Sequence, residues 1–391
     1  MVSSGLFRKM ESLSLMHNIG IRAGNDFKLG VFGSNCSNGL SFTKLPERWQ
    51  ATWDNNVKLA RLVDAAGIEC MVPVSRWKGF GGATNVAGVN FETITWACGL
   101  LAETKALNVF GTVHVPMIHP VVGAKQMVTA DHIGQGRFGI NIVCGWNEDE
   151  FKMFGLQAKE HDTRYEYAEE WWRIVKRVWS CPEHGDFEGR FFQLRDLEAA
   201  PGPYGDGDPI MMNAGASPAG RAFAVGNSDL HLDYCRTPAE SAERIRETKA
   251  MARRLGREIQ VWIPASIVCR STQREADDYT QHCVENADWE ALDHQFDLYT
   301  GTYGSRTRSP EEVQQHRTMN QARAVLSYGG SYSIRGDADQ VAREMKVLHD
   351  AGVDGVAMGF VNYLDELPYF IQEVLPRLER LGVRGPSAAS R

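Results

Sequence analysis

The sequence predicts an α/β protein, a (β/α)8 TIM barrel with insertions. Eight short apolar or β-branched runs alternate with longer stretches of helical period, the pattern of repeated βα units around a parallel sheet. At 391 residues the chain is long enough for one large barrel, a fold that often exceeds about 250 residues without dividing. A composition of 43% hydrophobic and 23% charged residues supplies ample material for a large buried core. A doubly wound open sheet is the second reading of the same alternation.

FKLGVFG (27–33) is the first strand. Its helix is expected to begin at Pro46, carry Trp49, Trp53, Val57, Ala60 and Val63 on one face, and stop at Gly67. IECMVPV (68–74) is the second strand, and LNVFGTVHV (107–115) and RFGINIV (137–143) are the third and fourth. A helix running from about Pro120 to IGQG joins the last two. The helix after the fourth strand shows a capping box, Thr163 with Glu166, ahead of Ala168, Trp171, Val175 and Val178 on one face. IMMNA (210–214), DLHLDY (229–234), IQVWIPASIV (259–268) and GVAMGF (355–360) complete the eight strands, each followed by a helical stretch.

Two insertions interrupt the units. GDFEGRFFQL with PGPYGDGDP, about 185–209, reads as a hairpin and a turn-rich return. Residues 270–333 hold helical fragments and then the Gly-dotted LYTGTYGSRTRSPEE and SYGGSYS, without sustained period. Loops of that length in a compact domain are functional lids or disordered, so this segment is the expected lid. Residues 1–26 read as an N-terminal extension, 27–385 as a single barrel domain and 386–391 as a tail.

No run of 18 apolar residues exists, and Arg8, Lys9 and Glu11 stand where a signal peptide would need an apolar block. A cytoplasmic protein with no membrane partner is expected. The eight cysteines are scattered without a CxxC, which argues against disulfides and zinc. The net charge of −7 is modest, and Lys and Arg are interspersed with acids rather than gathered into a stripe for nucleic acid.

RFGINIVCGWNEDEF (137–151) raises the functional question, because a strand that only fills a core has no use for Asn141, Asn147 and a burst of acids at its end. In a barrel, chemistry sits at the C-terminal ends of the strands, so these groups are expected to face a site. An amide without a partner in a barrel strand costs on the order of 1–3 kcal/mol, so Asn141 needs a polar partner. NAGASPAGR ends a strand and opens a helix, where Ser217 can serve as N-cap or can offer hydroxyl and backbone N–H groups to a phosphate. Arg164 and Tyr165 add a fork of donors and a phenol. His114 and His119 flank Pro116 without metal-ligand spacing, and no metal site is expected. GASPAG comes close to the G-x-S-x-G elbow of a serine hydrolase but has Ala219 where the motif needs Gly, and no HGGG-type oxyanion motif is present.

GRFGINIVCGWNEDEFKMFG followed by HDTRYEYAEEWWRIVKRVW, SRWKGFGG after the second strand and NAGASPAGRAFA after the fifth form a joint set. On these motifs the chain resembles the bacterial luciferase-like flavin monooxygenases, most closely the pyrimidine, dimethylsulfone and alkanesulfonate monooxygenase group. The resemblance runs from about Phe27 to about Arg380 and is weakest in the first 26 residues and in 270–333. It implies FMN-binding positions at Ser75, Arg76, Asn141, Glu150, Arg164, Tyr165 and Ser217, with Gly215 and Ala216 contributing backbone. It also implies a homodimer or homotetramer and a two-component system, in which an NAD(P)H-dependent reductase supplies FMNH2 and this chain uses O2 to oxygenate a small organic substrate. No G-x-G-x-x-G fingerprint for a nicotinamide donor is present, in keeping with that division of labour. A deazaflavin-dependent oxidoreductase is the rival within the fold. Trp77, Phe80, His114, Met117 and Trp146 are expected to line an aromatic pocket that suits a flat heteroaromatic ring or a small organosulfur compound equally well. The pyrimidine subgroup holds oxygen at flavin N5 rather than C4a, beside a Thr and an Asn from neighbouring strands. The resemblance implies Thr112 and Asn141 as that catalytic pair, and the residues leave N5 and C4a open.

Overall fold

Strand pairing closes on itself in this computed structural model, which describes residue 21 and residues 24–157, 160–180, 185–198, 200–205, 207–303, 321–327 and 331–385. The barrel strands are β1 (Lys28–Phe32), β2 (Cys70–Val72), β3 (Asn108–His114) and β4 (Phe138–Val143). Then, beyond a hairpin of β5 (Gly185–Glu188) and β6 (Gln193–Leu197), come β7 (Ile210–Asn213), β8 (Leu230–Leu232) and β9 (Gln260–Cys269). After β10 (Tyr332–Gly336), β11 (Gly355–Gly359) completes the set. Parallel neighbours run β1-β2-β3-β4-β7-β8, and β9 joins β8 to β11, which returns to β1. That closure excludes the doubly wound open sheet.

β10 was not expected, because the sequence reading places no strand between 270 and 333. It pairs with Ala265–Cys269 of β9, while β11 occupies Trp262–Ser266. One strand edge bonds one neighbour at a time, so β10 continues the edge that β8 holds at Gln260–Trp262. Its own residues are only partly buried, with Ile334 as the apolar anchor, and so leave little hydrophobic signal.

Alternation along the strands builds two apolar layers. Leu29, Val31, Met71, Val109 and Ile140 face outward into the helix layer, whereas Cys70, Phe110, Met212 and Trp262 fill the barrel interior. Trp262 fits because its neighbours lack side chains: a Cβ on Gly30 would lie 3.2 Å, and one on Gly355 2.4 Å, from its ring. Below, the buried Glu69 carboxylate accepts from Leu29 N and from Arg384, tying the end of the chain to the barrel floor.

Two helix boundaries differ from the expected ones. α1 spans Trp53–Ala65 and starts not at Pro46 but after Thr52, whose side chain accepts from Asn55 N. Trp49 is buried for tertiary reasons: its backbone N–H reaches Val361 O and its indole donates to Ser34 O at 2.7 Å, while Trp53 is 42% exposed. After α2 (Thr93–Glu103), α3 (Pro120–Gly134) and α4 (Glu148–Met153), helix α5 begins at His161 and runs to Ser180. Thr163 and Glu166 therefore stand inside α5 and form no capping box; Arg164 N already bonds Glu160 O.

The expected hairpin is present, antiparallel with Phe187 opposite Leu194. The Glu170 carboxylate of α5 holds its turn by accepting from the backbone of Arg190, Phe191 and Phe192. Then follow α6 (Pro218–Asn227) and α7 (Pro238–Arg254). In the 270–333 region α8 (Gln273–Glu285) and α9 (Trp289–Tyr303) are regular helices, not fragments, and α10 (Gln321–Leu326) precedes β10. Most of LYTGTYGSRTRSPEE, part of SYGGSYS, residues 1–20 and the tail 386–391 lie outside the described residues. The chain ends with α11 (Ala338–Asp350), α12 (Tyr363–Glu373) and α13 (Leu375–Arg380). Among the described residues no helix is long and apolar enough to cross a membrane.

Candidate active site

Strand periodicity aims the polar groups. Phe110 lies in the barrel interior, so Thr112 and His114 further along β3 point the same way, toward the C-terminal mouth. Thr112 stands opposite Asn141 of β4 in the parallel register. Asn141 Nδ2 donates to Thr112 Oγ1 at 3.4 Å, and that hydroxyl donates to Pro73 O at 3.2 Å. Thr93 fixes the Thr112 backbone, accepting from its N–H and donating to its carbonyl. Both Thr112 and Asn141 are buried, and Asn141 Oδ1 has no hydrogen-bond partner. An unmet buried acceptor costs about 1–3 kcal/mol, so this amide is placed for a donor from outside the chain.

The acids after β4 now have a physical account. Asn147 caps α4, accepting from Asp149 N and Glu150 N. Glu148, Asp149 and Glu150 occupy its first turn, where the helix dipole favours negative charge. Glu148 and Asp149 face solvent, but Glu150 turns inward and is fully buried. Its Oε1 lies 3.2 Å from Arg76 Nε and accepts from the backbone of Trp77 and Lys78, which fixes the turn after β2. Arg76 in turn lies over the rings of Phe80 and Trp146. Glu150 Oε2 faces His114 Nδ1 at 3.9 Å, too far for a hydrogen bond, and neither atom has another partner. Burial, and secondarily the Arg76 charge, push the His114 pKa down to about 4, so the imidazole is neutral at pH 7. The Cys144 thiol is likewise pushed up to about 12 by burial and stays protonated.

The strand-to-helix turn after β7 forms a cradle. Asn213 Nδ2 donates to Ile142 O at 2.7 Å, and its Oδ1 accepts from Gly215 N at 2.8 Å. His231 Nε2 lies 3.1 Å from Gly215 O; a carbonyl can only accept, so this nitrogen carries the proton. Ser217 caps α6 by accepting from Gly220 N and also meets Tyr165 Oη at 3.3 Å. Close packing forbids side chains here. A Cβ on Gly215 would come within 2.7 Å of Gly220 Cα, and one on Gly220 within 2.6 Å of Tyr165 Oη. The close approach is thus made between Gly215 and Gly220 and not at Ala219, the position where a hydrolase elbow needs Gly. Arg164, on the neighbouring α5, donates to Gly145 O at 2.7 Å and keeps a buried Nε without a hydrogen-bond partner.

A cavity of about 470 Å³ opens between these elements, within the range of cofactor and substrate sites. Of the residues predicted from sequence, Ser75, Thr112, His114, Asn141, Trp146, Tyr165, Gly215 and Ala216 line it. Arg76, Trp77 and Met117 line an adjoining void of about 20 Å³ that shares Ser75, Thr112 and His114. Glu150, Arg164, Ser217 and Phe80 line neither space: Glu150 and Phe80 support Arg76 from behind, while Arg164 and Ser217 buttress the loops. Sequence reasoning missed Asn213, Asp233, Tyr234 and Tyr299 in the wall. The first three stand at the ends of predicted strands, a signal that was available; nothing local in the sequence brings Tyr299 to Trp146.

Fold and site together define a class, a (β/α)8-barrel enzyme whose mouth joins polar groups, aromatic rings and a glycine-tight turn at a helix N-terminus. The chain matches the luciferase-like monooxygenase family over residues 29–355 and belongs to that family. It is 28% identical to the FMNH(2)-dependent dimethylsulfone monooxygenase of Pseudomonas fluorescens over 92% of this chain and 97% of the relative. It is 27% identical to the pyrimidine monooxygenase RutA of Serratia proteamaculans over 93% and 99% of the two chains. Among solved structures, riboflavin lyase with modified FMN and substrate riboflavin shares the fold, with a TM-score of 0.82 and 20% identity over 92% of this chain and 93% of that one.

Proposed function

We infer that this chain is the FMNH2-dependent oxygenase of a two-component system, taking reduced flavin from a separate NAD(P)H-dependent reductase and using O2 to oxygenate a small organic substrate. One observation carries the reading: a barrel mouth in which the orphaned Asn141 amide oxygen and the glycine-tight cradle frame one cavity. A reduced flavin offers N–H donors to the first and a phosphate to the second, so the residues fit FMN. Tyr165 and the backbone of Gly215 and Ala216 would hold the phosphate, with Ser217 and Arg164 fixing the turns around it; Ser75 and Asn141 would meet the ring, with Arg76 and Glu150 bracing that wall. Bound there, reduced flavin supplies the two electrons that oxygen chemistry requires.

The residues set the conditions for that chemistry. Thr112 and Asn141 serve as the catalytic pair, a hydroxyl and an amide that hydrogen-bond the reacting edge without a charge that would draw in water. Neutral His114 and protonated Cys144 leave the wall around this pair without charge, and the one carboxylate in the cavity wall among the described residues, Asp233, is ion-paired to Arg244. In this reading the protein is cytoplasmic and works as a homodimer or homotetramer.

The test is turnover with a flavin reductase, FMN and NADH under ¹⁸O₂. Product carrying one labelled oxygen is expected. Substrate conversion that proceeds equally well without oxygen would instead mark a hydride-transfer enzyme of the deazaflavin type and sink this reading.

A further inference from the structure

The cavity wall contributed by α9 and the β4 and β8 loops is built of aromatic rings drawn from three separate segments. Trp146 follows β4, Tyr234 follows β8 and Tyr299 comes from α9, and all three line the cavity. Trp146 and Tyr299 stack with ring centroids 4.9 Å apart and planes within 14°. That pairing is not an accident of loose loops, because both rings are held from behind. Trp146 lies beneath the Arg76 guanidinium, 5.5 Å from its ring centroid. α9 is anchored to the loop after β2, where Asp288 at its head accepts from the Thr84 backbone and hydroxyl, and His294 bonds Phe80 O at 2.8 Å. Tyr234, 41% exposed although it lines the cavity, adds a third ring beneath Arg323. Beside it Asp233 places a carboxylate in the wall; Oδ2 pairs with Arg244 Nε at 2.7 Å and Oδ1 accepts from Tyr234 N.

We propose that this wall is the substrate-recognition surface and that it selects a neutral, planar heteroaromatic bearing ring N–H or lactam groups, with Tyr299 as the specificity-determining residue. The proposal rests on the monooxygenase reading above and goes further by choosing between its substrate classes. Trp146 and Tyr299 occupy their facing sides with each other. A flat π-system therefore meets the pair from the cavity side, extending the stack or touching ring edges, contacts a tetrahedral sulfone cannot match because aromatic contacts depend on ring geometry. The Asp233 carboxylate, although paired with Arg244, still has lone pairs to accept a ring N–H, a donor that neither a sulfone nor a sulfonate supplies. The ring stack also links recognition to α9, so a substrate that docks on Tyr299 braces that helix.

The experiment compares uracil and 2-pyridone with dimethylsulfone and methanesulfonate. Binding is read by tryptophan fluorescence of the enzyme with FMN, and turnover by labelled product in the coupled reductase assay. Saturable quenching and labelled product are expected for a heteroaromatic. Tyr299→Ala should raise its KM about tenfold with kcat little changed, while Tyr299→Phe, which keeps the ring, restores the wild-type KM. FMN affinity, measured separately, should be the same in all three proteins. Coupled oxygenation of dimethylsulfone or methanesulfonate alone, no saturable binding of either heteroaromatic, or an unchanged KM in Tyr299→Ala each overturns the proposal. Failure of the wild type to bind reduced FMN would instead strike the preceding reading.

Discussion

Asn141 is the residue on which local energetics and chemistry meet, because its amide is half satisfied. Nδ2 finds Thr112, and Oδ1 finds nothing. Thr112→Val and Asn141→Ala should therefore keep measurable FMN binding, yet lower product formation by about 10²-fold while reduced flavin is still oxidised and hydrogen peroxide is released. Peroxide and product yields per NADH check this; wild-type coupling in both variants would remove the catalytic role. Glu150 acts at a different level. It takes no part in the cavity wall but neutralises Arg76 and fixes two backbone N–H groups. Glu150→Ala strips a buried counter-charge and should cost about 3–5 kcal/mol of stability, with Glu150→Gln costing less because an amide oxygen still accepts the two N–H bonds. Urea unfolding of the two variants separates these outcomes. Asn141 was legible in the sequence as an amide in an apolar strand, and Thr112 through the resemblance that pairs the two; the structure adds the register that sets them side by side. The support given by Glu150 was not, since only the capped turn at Asn147 rotates that one acid of three into the interior.

At the scale of elements, the cradle after β7 depends on a helix approaching a turn more closely than side chains permit. Gly220→Ala would set a methyl against both Gly215 and Tyr165, whereas Ser217→Ala removes one capping bond worth about 1 kcal/mol. Titration with FMN should thus show the larger loss of affinity for Gly220→Ala, with far-UV circular dichroism unchanged in both; equal losses would mean that cap chemistry, not turn shape, controls the site. All eight barrel strands, β1 to β4, β7 to β9 and β11, could be read from sequence because each is a short apolar or β-branched run followed by a helical stretch. Elements whose burial comes from distant partners could not. Trp49 mimicked a helix face while serving Ser34 and Val361, and β10 buries a single apolar side chain, Ile334, beside Gly336. The Tyr299–Trp146 stack belongs to the same group, since it exists only after α9 has docked on the loop beyond β2.

For the whole molecule, the mouth of the barrel makes stability and pH inseparable. His114 sits in the packed interior between Arg76 and Glu150, and its pKa is depressed to about 4 from an ordinary 6.5, chiefly by burial. His231, behind the cradle, is depressed by burial too. In both cases the unfolded chain takes up a proton at a pH where the folded chain does not. Stability from these groups is therefore fully present above about pH 6.5 and is lost as pH falls, for His114 until about pH 4. The His114 shift corresponds to about 3 kcal/mol across that window. Glu366 works in the opposite sense: burial raises its pKa despite the Arg270 ion pair, so the folded state holds its proton more tightly as pH falls toward the ordinary carboxylate range. The wild-type profile is a sum of both, and the difference between proteins isolates one. His114→Gln, which cannot charge, should show a flatter decline of Tm between pH 7 and pH 4 than the wild type, with the two curves converging as the acid penalty of the wild type grows. Parallel curves over that range would show that His114 is not neutral and buried in the folded protein, and with it the neutral imidazole assigned to the site would fall.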